Sequence, residues 1–384
     1  MSESTLTEEA ASGALDLIAD RVVTVQSSVD GFPFVYDEDG DAWETTPDGN
    51  WCAGHWIGLL RTAADRVEDG SRLDAAADRA TGRMLDGDSL LASHFAGMNY
   101  LYAGFRSYDR TGDRRQFGLG LTGADAMADL FHERGRQVAV GEFDTKGPGD
   151  ERIGDAARER PDPPLAAVDV VYTALPVLWR AYRETGRERF RDVALSHADR
   201  HLDWFVLEDA STVQLRSFDQ ETGQSRATAE LLAAGEDTCW ARGQGWSVAG
   251  LARAYTETGA ERYLRALERI VDYWRDHTPA DLVPRWDFEV SGASEPRDAS
   301  AAALAAYGLL GIRGPGGERV AALRAVGRRL LGSLVDDYVV TEGPRRGAVL
   351  HTCYDRPEAY ATDVEAVWTE YYVARALVRF IESA

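Results

Sequence analysis

The segment Tyr182-Arg-Glu-Thr-Gly186 recurs along this chain. Tyr108-Asp-Arg-Thr-Gly112 begins 74 residues before it, and Tyr255-Thr-Glu-Thr-Gly259 begins 73 residues after it. Each copy ends one run of apolar residues spaced three and four apart and precedes another. Phe190-Arg-Asp-Val-Ala-Leu-Ser-His-Ala198 follows the second copy, and Tyr263-Leu-Arg-Ala-Leu-Glu-Arg-Ile-Val271 follows the third. That spacing is helical, and a glycine just past the last turn lets a helix stop in a left-handed conformation. The unit is a helix, a Thr-Gly stop and a second helix. Fainter copies lie near Glu68-Asp-Gly70 and Gly314-Pro-Gly-Gly-Glu318. Twelve such helices with their loops use the whole length of 384 residues. An open solenoid and a closed toroid both satisfy the repeat; neither end shows a polar capping unit, which favours closure. The expected fold class is all-α, an (α/α)6 barrel spanning residues 1–384 as one domain, with residues 1–10 as a flexible lead. Strand signals are few, and Thr212-Val-Gln-Leu-Arg-Ser-Phe218 is the best of them.

Charge narrows the partners. There are 64 acidic residues against 42 basic ones, a formal net charge of −22. A single lysine, Lys146, stands among the arginines. Such a surface repels nucleic acid and anionic membranes, so neither is an expected partner. The acidity runs through the whole chain, as expected of a protein working in a salt-rich, halophilic cytoplasm; the plainer alternative is an acidic protein from a GC-rich genome. No apolar run is long enough to span a membrane, and the acidic N-terminus lacks the pattern of a signal peptide. Cys52, Cys239 and Cys353 are far apart and odd in number, which fits reduced thiols in a cytoplasm. Asp37-Glu-Asp-Gly-Asp41 lacks the glycine position and the bidentate glutamate of a calcium loop, and no glycine-rich phosphate cradle precedes a helix. No metal or cofactor is expected.

Long non-helical stretches, 30–50, 141–164, 209–237 and roughly 341–362, read as loops at a barrel mouth, and loops of that length are usually functional. The second leads into Leu165-Ala-Ala-Val-Asp-Val-Val-Tyr-Thr-Ala-Leu-Pro-Val-Leu-Trp179, apolar except for Asp169. With Pro163 and Pro164 at the helix start, Asp169 is expected in the second helical turn, sharing a face with Leu165, Tyr172 and Pro176. An isolated buried carboxylate costs several kcal/mol, so Asp169 is either satisfied structurally or used chemically.

Aromatic and polar residues cluster in Asn50-Trp-Cys-Ala-Gly-His-Trp-Ile-Gly58, Ser93-His-Phe-Ala-Gly-Met-Asn-Tyr100 and Cys239-Trp-Ala-Arg-Gly-Gln-Gly-Trp246, and in Val283-Pro-Arg-Trp-Asp-Phe288 before Arg297-Asp-Ala-Ser-Ala-Ala-Ala303. Rings with Arg, Gln and His suit a sugar, whose C–H faces stack while its hydroxyls need donors and acceptors. From Trp43 to the C-terminus the order and spacing of these motifs resemble glycoside hydrolase family 88, the unsaturated glucuronyl hydrolases, with the related family 105 as second choice. The resemblance implies an (α/α)6 barrel acting on oligosaccharides released by polysaccharide lyases, whose non-reducing end is a uronate with a C4=C5 double bond. It implies hydration of that enol ether, with Asp169 as general acid and then base, its proton held by the apolar surroundings. The same resemblance assigns Trp51 as a stacking platform and His94, Phe95, His197, Arg242, Trp246 and His351 to substrate binding. Arg242 is a candidate partner for the substrate carboxylate or for Asp169 itself. Gln244 holds a turn, and Asp287 and Asp298 are structural.

Two positions depart from the family pattern. His94-Phe95-Ala96-Gly97 stands where the family usually has His-Asp-hydrophobic-Gly, so Phe95 replaces a pocket aspartate; Asn99, one turn on, is a candidate replacement. Leu231 or its neighbours stand where a histidine is usual. Three rivals follow: a family 105 hydrolase for rhamnogalacturonyl or ulvan-type fragments, an epimerase using paired histidines, and a sugar-binding relic that has lost activity. The expected assembly is a monomer or homodimer.

Overall fold

Gly112, Gly186 and Gly259 all adopt left-handed backbone, with φ of 71°, 67° and 63°. Each donates its N–H to the carbonyl of the tyrosine that begins its motif, at 2.8, 2.8 and 2.7 Å. The preceding threonines turn back onto their own helices: Thr185 Oγ1 donates to Ala181 O and Thr258 Oγ1 to Ala254 O, both at 2.7 Å. The same hydroxyls accept the N–H two residues ahead, Arg187 at 3.2 Å and Ala260 at 3.1 Å. Threonine and glycine thus end one helix and start the next, which is why the motif recurs.

The structure is a computed structural model that describes residues 6–37, 41–87, 90–142 and 162–383. Among these, twelve helices alternate between an outer and an inner ring. The outer ring is α1 (Glu8–Ser28), α3 (Gly70–Asp86), α5 (Arg114–Asp129), α7 (Glu188–Phe205), α9 (Glu261–His277) and α11 (Glu318–Asp337). The inner ring is α2 (Ala53–Ala64), α4, α6 (Val170–Thr185), α8 (Ala241–Thr258), α10 (Ala299–Gly311) and α12 (Val367–Ile381). Helix α4 runs without a break through Ala96–Tyr100, a π-helical Leu101–Arg106 and Ser107–Thr111. Inner helices pack in the order α2, α4, α6, α8, α10, α12, and α12 returns to α2. The ring is closed, as the repeat and the missing caps predicted. Every residue of α2 is buried, as is nearly every residue of α8 and α10, as expected of a ring enclosed by a second ring.

Short links join inner to outer helices at one end, and both faint copies of the motif fall there. The long connections gather at the N-terminal ends of the inner helices. They contain more strand than the sequence suggested: β1 (Phe32–Asp37), β2 (Ala42–Thr46), β3 (Phe131–His132), β4 (Gln137–Val138), β5 (Leu165–Ala167), β6 (Leu215–Phe218), β7 (Ser225–Ala229) and β8 (Glu365–Ala366). Most are too short to carry an alternating pattern. Strand β5 pairs antiparallel with β6, so the apolar run before α6 splits into strand and helix, a division invisible to a continuous apolar pattern. Within the expected lead 1–10, residues 6–10 are ordered: Leu6 is buried and Thr7 Oγ1 caps α1 at Ala10 N, while residues 1–5 lie outside the described residues. Residues 38–40 of the acidic loop and 143–161 of the second mouth loop lie outside the described residues.

The first helix meets β8, the strand that leads into the last helix, through an ion pair. Arg21 of α1 donates to both oxygens of Glu365, at 2.8 and 2.7 Å, with both side chains buried. Burial, reinforced by Glu365 beside it, pushes the Glu370 carboxyl well above its ordinary 4.5. The folded chain therefore keeps a proton that the unfolded chain releases, and stability falls as pH rises above 4.5. Glu370→Gln removes that dependence, so the variant gains on the wild type between about pH 5 and pH 8 in urea midpoints. An equal difference at both pH values contradicts a protonated Glu370.

Inner helices touch over glycine. A Cβ on Gly97 of α4 would stand 2.1 Å from the carbonyl oxygen of Thr173 on α6. Gly97→Ala must push these helices apart and is expected to cost about 1–3 kcal/mol, measured by chemical denaturation. An unchanged midpoint would rule out the tight contact.

Candidate active site

The residue immediately before each inner helix lies at the same end of the barrel. These include Phe95 before α4, Asp169 before α6, Trp240 before α8 and Asp298 before α10. Six helix N-termini with their positive dipole ends therefore surround one mouth. In a chain of net charge −22 this is where an anionic ligand is tolerated locally.

Asp169 is not in the second turn. It sits one residue before α6, because β5 and the bond from Val168 N to Gln214 O (2.9 Å) hold the chain extended up to that point. Its carbonyl accepts the N–H groups of Tyr172 and Thr173 at 2.9 and 3.0 Å. Its side chain is 17% exposed, while Oδ1 is buried without a hydrogen-bond partner. The exposed edge is therefore the Oδ2 side. Oδ2 lies 3.3 Å from His94 Nε2, and His94 Nδ1 lies 3.0 Å from Val140 O. A carbonyl only accepts, so Nδ1 carries a proton. The Nε2···Oδ2 contact then holds one further proton between the two groups. The arrangement is a carboxyl group held at the mouth by a buried imidazole of defined orientation.

An aromatic wall stands beside this pair. Phe95 packs against the His94 ring with centroids 3.9 Å apart and lies 5.9 Å from Trp51. Trp51 is stacked nearly parallel with Tyr354 at 6.2 Å and tilted against Trp368 at 4.9 Å. Arg242 holds Tyr354 in place. Its guanidinium donates to the carbonyls of Cys353 and Tyr354, at 2.6 and 2.8 Å, and to Asp298 Oδ2 at 3.2 Å. It also lies between the Trp240 and Tyr354 rings. Arg242 is thus committed to protein partners and pairs with Asp298, not with Asp169; a 2% exposed guanidinium is a brace, not a free carboxylate receptor.

The other expected site residues separate. Trp246 faces the lumen below the mouth, 5.4 Å from Tyr172. His197 is fully buried between α7 and β4, where its Nδ1 accepts the Val138 N–H at 3.2 Å and burial lowers it to about 4. It is a buried, neutral strut, a placement that helical position alone does not reveal. His94 is also buried, with its Nε2 facing Asp169 Oδ2. His351 sits 45% exposed at the rim, bonded to Asp363 at 2.8 Å. Asn99 is no replacement for a pocket carboxylate: it accepts the Gly54 N–H at 2.8 Å and donates to Asn50 O. Asp298, Asp287 and Gln244 are structural, as expected. Asp298 caps α10 at Ser300 N, Asp287 accepts Ala234 N, and Gln244 donates to Ala210 O.

Tyr354 and Glu230 were missed. Tyr354 lies in a loop without periodicity, and only its partners reveal it. Glu230 adjoins Leu231 in the loop before α8. Burial pushes its carboxyl up to about 8; it accepts the Gln214 N–H at 2.8 Å, and Gln214 O in turn binds Val168. Among the described residues no group of three or more metal-ligating side chains occurs.

Comparison with known proteins places this geometry in context. The family model described as Glycosyl Hydrolase Family 88 matches residues 34–280, more than half of the chain. An unsaturated chondroitin disaccharide hydrolase of Streptococcus pneumoniae is 26% identical over 345 residues, 86% of this chain and 81% of that protein. An unsaturated glucuronyl hydrolase of Bacillus sp. is 26% identical over 362 residues, 91% of each. The crystal structure of an unsaturated glucuronyl hydrolase specific for heparin superposes with a TM-score of 0.84 at 21% identity, over 98% of both chains. A barrel with this ring order, matched by this family model over this span, belongs to glycoside hydrolase family 88.

Proposed function

We propose that the chain hydrolyses small oligosaccharides whose non-reducing end is a C4=C5 unsaturated uronate, by hydrating the double bond. The observation that carries this reading is the Asp169–His94 pair at the aromatic mouth; the named activities of the relatives support it. The proton on Asp169 Oδ2 passes to C4, and positive charge develops at C5 beside the ring oxygen. The carboxylate left behind then faces the Nε2 lone pair of His94, an unfavourable contact that a proton relieves. Asp169 takes that proton from the water that adds to C5. The hemiketal formed at C5 opens and releases the next sugar. One carboxyl group performs both transfers, and His94 is the positioning residue that makes its uncovered form short-lived. Trp51, Phe95 and Tyr354 offer the sugar faces a stacking surface, and the helix N-termini favour the uronate carboxylate.

We place this reaction in a salt-rich cytoplasm. The near absence of lysine supports it, as do three free, buried cysteines. Among the described residues no helix is long and apolar enough to cross a membrane.

The test is loss of the ultraviolet absorbance of the C4=C5 bond, on a panel of lyase-made disaccharides in molar KCl. Asp169→Asn is expected to lower kcat about 10²–10⁴-fold while the protein stays folded and still binds. In D2O the product carries deuterium at C4. His94→Gln is expected to lower kcat with little change in KM and to alter the pH profile, which a merely structural histidine does not. Saturable binding without turnover, unaffected by Asp169→Asn, would instead make the chain a sugar-binding relic in which Phe95 has replaced a needed carboxylate.

Arg242→Lys cannot hold two carbonyls and a carboxylate with one fork. It is expected to loosen Tyr354 and raise KM about tenfold with kcat largely kept. A fall in kcat at unchanged KM would show that Arg242 acts on the reacting atoms instead.

A further inference from the structure

Beneath the mouth, a layer of tyrosines crosses the lumen. Tyr102 OH lies 3.0 Å from Tyr172 OH and 2.9 Å from Tyr372 OH, and Tyr372 OH lies 3.2 Å from His55 Nε2. Below this layer, toward the C-terminal ends of the inner helices, is a cavity of about 200 Å³. Five arginines line it, from four helices: Arg106 of α4, Arg180 and Arg183 of α6, Arg253 of α8 and Arg379 of α12; the lining contains one carboxylate, Asp109. So dense a cationic lining is unexpected in a chain with 22 more acids than bases.

Part of this charge is paired. Arg180 bonds Asp109 at 2.6 Å and Glu184 at 2.7 Å. Arg183 and Arg253 share Glu257, the second at 3.0 Å. Arg106 and Arg379 have no carboxylate partner among the described residues. Both turn to Tyr307: Arg106 donates to its hydroxyl, and Arg379 donates to its carbonyl while lying 3.4 Å over its ring. The Nε atoms of Arg106 and Arg253 are buried without a hydrogen-bond partner. Like charges crowded in this way need an anion among them.

We infer that this cavity binds a small oxyanion of the sulfate or phosphate class, held by Arg106, Arg253 and Arg379, at the opposite end of the lumen from Asp169. Guanidinium forks match the edges of such anions two bonds at a time, and the volume lies below the range of sugar-sized pockets. Tyr307 is the internal substitute. Burial alone would raise its phenol, but the Arg106, Arg379 and Arg375 guanidiniums pull it down to about 7. Tyr172 bonds it from α6, while Tyr371 and Tyr372 face the same cluster from α12. A bound dianion adds negative charge beside the phenol and returns its proton.

The experiment is a calorimetric titration of the full-length protein with sulfate, at constant ionic strength near pH 8, with tyrosinate absorbance followed in parallel. Sulfate keeps its charge across this range. The expected result is saturable binding at one site with a fall in tyrosinate absorbance. Arg106→Gln and Arg379→Gln are each expected to weaken binding at least about tenfold. Tyr307→Phe should still bind sulfate while losing the absorbance change, which separates the site from a folding defect. Three results would overturn the inference: no saturation by folded protein, an equal response to chloride, or binding undiminished in both arginine variants.

Discussion

The close contact between neighbouring inner helices governs everything else in this protein. Six helices can form a ring only if each meets the next at short range, and small residues allow it: Gly97 against the Thr173 carbonyl, Gly308 against Ala249, Gly245 against Ala301. A narrow lumen follows, filled by tyrosines and tryptophans instead of aliphatic side chains. Because every inner helix runs the same way, six N-termini and the long loops that feed them converge at one end. The α4–α6 contact at Gly97 also sets the spacing between His94 and Asp169, which stand just before those two helices. Packing of backbone on backbone is therefore what brings an acid and its imidazole to 3.3 Å.

The lumen is layered by chemistry. At the mouth a carboxyl group, an imidazole and a wall of rings suit a sugar that must be protonated while stacked. The tyrosine layer beneath is neutral: burial raises the phenols of Tyr102, Tyr172 and Tyr372 and lowers His55 to about 3. Charge reappears only below it, as the arginine cavity. The π-helical segment of α4 lies between the two regions, and it carries Tyr102 and Arg106 toward the lumen at a point where a regular helix would space them differently.

Phe95 makes one side of the mouth apolar beside the Asp169–His94 pair. Its phenyl ring covers one face of His94 and extends the Trp51–Tyr354 stack. Arg242, expected as a partner for a uronate carboxylate or for Asp169, is consumed in bracing the loop that supplies Tyr354.

Much of the architecture was legible in the sequence because it rests on local rules. Helical periodicity, the Thr-Gly stop and the loops that feed the mouth depend on residues a few positions apart, and together they point to the barrel. The lone carboxylate Asp169 stood out for the same reason, as a charge inside an apolar run. Tertiary structure decided what could not be local. His94 and Asp169 are 75 positions apart, and Arg242 and the Tyr354 carbonyl are 112 apart. Whether His197 faces a ligand or a strand, and whether Arg242 is free or spent, depends on which distant segment arrives beside it. Hydrogen-bond partners and burial are assigned only when the ring closes, and the chemistry of the site is set at that step.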